Sequence, residues 1–290
     1  MTATIPRAAV RPSPDSERHT VPSYLLDSVK GWRSERAKCL SITWSTGRVA
    51  PCWCFMARAW TTARRRLVSS RCFDGVAGLR RIYLDLPGMG RTVAPETLCS
   101  ADDVLDILLN FADEVTGGDA HLLVGHSAGA YYAQAMTARR PAQVAGLALV
   151  CPLLPGVRDV PEHRLVAGSG EIGDDVFRSY FVIQTPEMLE RYLRHVAPGA
   201  ELVDQAALDR ISQRWELTPV DAPAYPGPTV IVAGRLDSTV GYAAAVDLLD
   251  HYPYASLAVV DGTGHALPHE QPGLLRALLG EWLERVERSW

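Results

Sequence analysis

The stretch Leu122-Leu123-Val124-Gly125-His126-Ser127-Ala128-Gly129-Ala130 constrains this chain more than any other. An apolar run of buried-strand character enters Gly-x-Ser-x-Gly. Ala130-Tyr131-Tyr132-Ala133-Gln134-Ala135-Met136 then leaves it with helix-forming residues, ended by Pro141. Strand, sharp turn and helix in that order hold a serine hydroxyl where a neighbouring base and backbone N–H groups can reach it. Gly125 and Gly129 suit the crowding, because a Cβ there would meet the strand or helix packed against the turn. A serine hydroxyl is a poor nucleophile without a general base, so the turn predicts a basic partner elsewhere in the chain.

From Ile82 onward strands and helices alternate. Ile82-Tyr83-Leu84-Asp85 predicts a strand, and Leu86-Pro87-Gly88-Met89-Gly90 a loop. Ser100 caps a helix in which Val104, Leu105, Ile107, Leu108, Phe111 and Val115 fall at helical spacing, and Gly117-Gly118 stops it. Further strands are predicted at Val144 to Val150, Thr229 to Gly234 and Ser256 to Val260. Helices are predicted from about Gly241 to Leu249 and from Gln271 to about Arg288. Alternation of this kind implies a parallel sheet with its active-site loops at the carboxyl ends of the strands. Between Pro152 and Pro228 the rhythm breaks into proline-containing loops and amphipathic helices such as Pro186-Glu187-Met188-Leu189-Glu190-Arg191-Tyr192-Leu193. The expected organisation is a disordered tail over 1–22, an α/β core over 23–151 and 229–290, and an insertion over 152–228. That insertion is expected to be a helical cap forming one wall of a substrate pocket, with a separate binding domain as the alternative.

At 290 residues the chain can bury a large α/β core. A net charge of −4 gives no drive toward nucleic acid or anionic membrane, and no run of eighteen apolar residues exists to span a bilayer. The first twenty residues, with Pro6, Pro12 and Pro14, lack the apolar core of a signal peptide, so a cytoplasmic location is expected. The cysteines are Cys39, Cys52, Cys54, Cys72, Cys99 and Cys151, with no Cys-x-x-Cys pair. Cys52-Trp53-Cys54 makes a poor metal clip without a second close pair. Free thiols, no metal and no cofactor are expected.

Ser127, Asp237 and His265 each follow a strand, in the order nucleophile, acid, base. With Asp85-Leu86-Pro87-Gly88-Met89-Gly90, Gly125-His126-Ser127-Ala128-Gly129, Gly234-Arg235-Leu236-Asp237 and Gly264-His265, the chain resembles the α/β-hydrolase superfamily over roughly residues 80 to 285. The resemblance is to its esterase-like branch with a cap. It implies a mostly parallel sheet flanked by helices, with His265 as base, Asp237 holding its tautomer and the Ala128 N–H as one oxyanion donor. His269 is the rival base, and Asp221 and Asp261 are rival acids. His126 belongs to the motif, and its side chain is expected to point away from the base. A serine at the nucleophile position argues against haloalkane dehalogenase or epoxide hydrolase chemistry, which uses a carboxylate there. Phe177, Tyr180, Phe181 and Tyr192 are expected either to line the pocket or to form the core of the cap.

The implied activity is hydrolysis of an ester, thioester, lactone or amide bond of a small molecule through an acyl-enzyme. The alternatives are a catalytically impaired small-molecule-binding protein, or a cofactor-free C–C hydrolase or lyase on the same triad.

One expected part is missing. The second oxyanion donor usually follows an apolar run ending in His-Gly, and nothing between Tyr24 and Arg81 supplies it. That region instead holds four of the six cysteines and three of the seven tryptophans between Cys39 and Cys72. Regrouping the codons of Pro51 to Ala57 from each third base spells an apolar residue, Leu, Val, Leu or Phe, His or Tyr, then Gly. Residues 39–72 therefore read as a stretch scrambled by two compensating frame changes, the alternative being a divergent insertion. The cost would be one oxyanion donor, about 3 to 4 kcal/mol of transition-state stabilisation, and with it the central strand.

Overall fold

The computed structural model describes the backbone of residues 42–44 and 51–55, and residues 79–156 and 159–289. The expected tail over 1–22 lies outside the described residues. The principal sheet contains β1 (Ile42–Trp44), β2 (Pro51–Phe55), β3 (Arg80–Leu84), β4 (His121–His126) and β5 (Val144–Val150). A small pair, β6 (Ala167–Gly168) and β7 (Ile183–Gln184), precedes the last two strands of the principal sheet, β8 (Thr229–Gly234) and β9 (Ala255–Val260). The seven principal strands lie in the order β1-β3-β2-β4-β5-β8-β9. Among the described strands of this sheet, β1 pairs with β3 antiparallel and the other neighbouring pairs are parallel.

β2 corrects the expectation of a lost central strand. Pro51–Phe55 runs parallel between β3 and β4, with Phe55 opposite Gly125. The ladder is made by main-chain groups, and Pro51, which lacks a donor, stands at the strand's first residue, where proline is tolerated.

Helices α1 (Ala101–Thr116) and α2 (Ala128–Arg139) follow β3 and β4. α1 begins as expected with the Ser100 hydroxyl accepting from the Asp103 N–H, and it stops at Gly117 in the left-handed conformation. Its apolar face packs on the sheet through Val104, Leu105, Leu108 and Phe111. Between β5 and β8 the chain forms α3 (Asp175–Tyr180), α4 (Pro186–His195), α5 (Ala197–Ala200) and α6 (Gln205–Ser212). Phe177, Phe181, Met188 and Tyr192 make a separate buried cluster there.

α7 (Ala244–Asp247) is shorter than expected, because Gly241 sits at φ +73° and the chain resumes helical geometry only after it. α8 (Leu267–Glu270) was not foreseen, and α9 (Pro272–Ser289) closes the fold against the sheet face opposite α1, burying Leu275, Leu279 and Trp282. Among the described residues no helix is long and apolar enough to cross a membrane.

Candidate active site

The site is built where β4 turns into α2. Ser127 sits at φ 54° and ψ −123°, a conformation that costs a non-glycine residue about 1 to 3 kcal/mol. Main-chain bonds hold it there. Its N–H donates to Val150 O at 3.0 Å, and its carbonyl accepts from the N–H groups of Ala130, Tyr131 and Leu153. A Cβ on Gly125 would stand 2.5 Å from Ala130 Cα, so the helix can start this close only over a glycine. Ser127 makes no side-chain capping bond to α2.

The other two predicted residues come from the ends of β8 and β9. His265 Nδ1 lies 2.8 Å from Asp237 Oδ2, and both side chains are buried. The second Asp237 oxygen accepts from the N–H groups of Thr239 and Val240 at 2.9 and 3.0 Å. Burial alone would raise the Asp237 carboxyl. The neighbouring His265 and the two backbone donors outweigh it and hold the carboxyl below its ordinary value. The two turns are pressed together: a Cβ on Gly234 would come within 2.4 Å of Gly264 O, and Leu236 N–H donates to Thr263 O.

Ser127 and His265 line one cavity of about 630 Å³. Leu86, Pro87 and Met89 wall it on the side of the Asp85-to-Gly90 loop, and Val104, Tyr131 and Tyr132 on the side of the first two helices. Val176, Tyr180, Val196, Leu208, Ile211 and Trp215 wall it from the segment between β5 and β8. None of the described lining residues is Asp, Glu, Lys or Arg. Ala128 also faces the cavity, and as the first residue of α2 its N–H is one that helix geometry leaves without an intrahelical acceptor. The loop expected to hold a second oxyanion donor lies outside the described residues.

Of the four aromatics expected either at the pocket or in the core of the cap, three take the core. Phe177, Phe181 and Tyr192 pack ring on ring at 4.9, 5.3 and 6.0 Å and are fully buried in their own cluster, and only Tyr180 reaches the cavity. Each of the three fills space between α3 and α4, where a large side chain is needed to bridge two short helices. His126 is placed differently from expectation. Its Nε2 lies 3.0 Å from the His265 carbonyl oxygen and its ring 4.9 Å from the His265 ring, so it packs under the base.

None of the rivals is among the described residues that line the cavity. Burial first, then the nearby His195, His126 and Arg191, push His269 well below its ordinary value. Asp221 and Asp261 are exposed on the surface. Among the described residues, His126, Cys151 and His265 bring potential metal-ligand atoms within 4.8 Å of one another. Their existing roles oppose a metal: His126 is engaged with the His265 carbonyl, and burial, followed by the nearby Asp237, raises the Cys151 thiol.

A residue missed by sequence reasoning is Glu270, whose carboxylate bonds the turn before His265. Its signal was faint, a lone acid between Pro268 and Pro272. The lining residues Tyr131 and Tyr132 could have been found, since they follow the serine by four and five residues on the helix that leaves the Gly-x-Ser-x-Gly turn.

A buried serine on a strained strand-to-helix turn, sharing a cavity with an aspartate-bonded histidine above a parallel sheet, defines the α/β-hydrolase class. The family model of the alpha/beta hydrolase family matches residues 43–278, and the chain belongs to that family. The fold is similar to that of an alpha/beta superfamily hydrolase from Oenococcus oeni PSU-1, at 25% identity and TM-score 0.78, covering 86% of this chain and 97% of that one. It is also similar to a membrane phospholipase A described as a bacterial virulence factor, at 20% identity and TM-score 0.68, covering 92% of each chain. A serine hydrolase involved in carbazole degradation aligns at 17% identity and TM-score 0.64, over 86% of this chain and 96% of that one. No curated protein matches the chain by sequence.

Proposed function

We propose that this protein is a serine hydrolase acting on a neutral, largely apolar ester, thioester, lactone or amide, with Ser127, His265 and Asp237 as its catalytic triad. The observation that carries the reading is the buried 2.8 Å bond between His265 and Asp237, with His265 and Ser127 facing one cavity. His265 takes the proton from the Ser127 hydroxyl as Oγ attacks the substrate carbonyl, and the Ala128 N–H receives the developing oxyanion. His265 then returns that proton to the leaving group, and water repeats the cycle on the acyl-enzyme. Asp237, acting as acceptor only, fixes the proton on Nδ1 and stabilises the imidazolium.

The described lining, largely apolar and without Asp, Glu, Lys or Arg, supports a neutral substrate, since a charged group would meet no partner among these residues. Its volume falls in the ordinary range for a small-molecule site. The segment over 152–228 acts as the cap, and the frame reading of residues 39–72 would restore His or Tyr before Gly as the source of a second oxyanion donor. A peptide mass confirming Cys52-Trp53-Cys54 from an unaltered gene would refute that frame reading.

The function is tested by a burst of 4-nitrophenol from an activated acyl ester. The expected result is one equivalent released per enzyme, with Ser127→Ala slowing turnover by about 10⁴-fold or more. No burst from folded wild-type protein, or equal bursts from both proteins, would overturn the triad assignment.

A further inference from the structure

We propose that Glu270 is a positioning residue whose carboxylate clamps the cavity wall carrying Tyr180 to the turn carrying His265, and so sets the width of the reacting gap. The inference rests on the serine-hydrolase reading above. Glu270 ends α8 and is buried. A carboxylate in the last turn of a helix faces the negative end of its dipole, and burial adds a desolvation cost, so the position demands donors.

Four neutral donors supply them, divided between the two oxygens. Oε1 accepts from Val182 N–H at 2.7 Å and Ile183 N–H at 3.1 Å. Oε2 accepts from the Thr263 hydroxyl at 2.6 Å and Gly264 N–H at 2.8 Å. Each oxygen serves one part of the molecule: Oε1 the segment between β5 and β8, Oε2 the turn after β9. Val182 and Ile183 follow Tyr180, and Gly264 precedes His265. The two rings meet edge to face at 5.4 Å and both line the cavity.

The approach of the two parts is tight, since a Cβ on Gly264 would come within 2.9 Å of Val182 Cγ1. A second tie runs to the same short helix, where Arg191 Nη1 donates to His269 O at 2.8 Å. The rigid plane of one carboxylate therefore transmits the position of one wall to the other.

The chemistry requires an acceptor at both ends. A carboxamide in place of the carboxylate turns an NH₂ toward one pair of donors. Val182 and Ile183 N–H cannot reverse, and on the other side only the Thr263 hydroxyl can, so at least Gly264 N–H is left without its acceptor.

The experiment compares wild type, Glu270→Gln, Thr263→Val and Thr263→Ser in the full chain, below their unfolding temperatures. It measures kcat and KM on 4-nitrophenyl acetate and octanoate, with hydrogen exchange over residues 181–184 and 263–266. Glu270→Gln is expected to lower kcat by about tenfold or more on both esters and to raise KM for octanoate more than for acetate. Exchange at both peptides should rise together. Thr263→Val should lower kcat less, with KM unchanged, and Thr263→Ser should behave as wild type. If Glu270→Gln does not fold, Thr263→Val against Thr263→Ser carries the test.

A lowered unfolding temperature with unchanged kcat and KM would make Glu270 a structural buttress and overturn the proposal, as would faster exchange on one side only. Should wild type show no turnover, the hydrolase reading fails while the exchange arm still decides whether the clamp exists.

Discussion

The cavity has two walls that are held in opposite ways. The Ser127 wall is fixed by its main chain: a positive φ, a glycine with no room for a Cβ, and backbone bonds to β5. The wall contributed by residues 152–228 is held by side chains, with Phe177, Phe181 and Tyr192 forming an aromatic cluster behind Tyr180 and the Glu270 carboxylate tying Val182 and Ile183 to the turn before His265. The first stores strain at the position of the reacting group, and the second draws its stability from burial. Local chemistry and local shape are thus specified by different kinds of interaction, and substitutions on the two sides should separate activity from stability.

The largest stability effect should come from the packed wall. Phe177→Ala removes a fully buried ring and is expected to cost about 3 to 5 kcal/mol in chemical denaturation, while turnover of a short ester below the unfolding transition stays close to wild type. A matching loss of turnover would show that the two walls are not separable.

His269 tests the ground beneath the packed wall. It lies 5.5 Å from Phe181 and 6.4 Å from His195, ring to ring, and Arg191 donates to its carbonyl. Its folded-state value is lowered, so the unfolded chain takes up a proton as pH falls below about 6.5 while the folded protein does not. Stability is therefore full above that pH and declines below it, by at most about 1.4 kcal/mol per pH unit for this one group. Urea midpoints measured from pH 7.5 to 5 should fall less steeply in His269→Gln; equal slopes would remove His269 from the account.

The smallest effect should be a gain. Ser127→Gly abolishes the hydroxyl but accepts the positive φ, and should stabilise the fold by about 1 kcal/mol. Unchanged or lowered stability would mean that the elbow carries no strain worth relieving.

The strained wall was legible in the sequence because its determinants are consecutive. Gly125 and Ser127 stand together, β5 and β8 appear at Val144–Val150 and Thr229–Gly234, and Asp237 and His265 follow their strands at once. The packed wall was not legible, because whether an aromatic in a short amphipathic helix faces cavity or core depends on partners in other helices. Phe177 and Tyr180, three residues apart on α3, differ in this way: Phe177 is enclosed in the cluster, while Tyr180 packs against that cluster and also reaches the cavity. Glu270 was hidden for the same reason, since its Oε1 donors lie 87 and 88 residues away. β2 was not assigned from its letters: Cys52 to Phe55 is a short apolar run, which by itself does not separate a buried strand from a helix segment, and only its backbone pairing on both sides identifies it.

Cys151 gives the site a built-in witness. It follows β5 at φ 43°, is wholly buried beside Asp237, and its thiol is held protonated by that burial. A thiol in that state is unreactive toward alkylating reagents, which need both access and thiolate. Its labelling therefore clocks each opening of the floor beneath Asp237 and His265, with the partly exposed Cys99 as the internal reference.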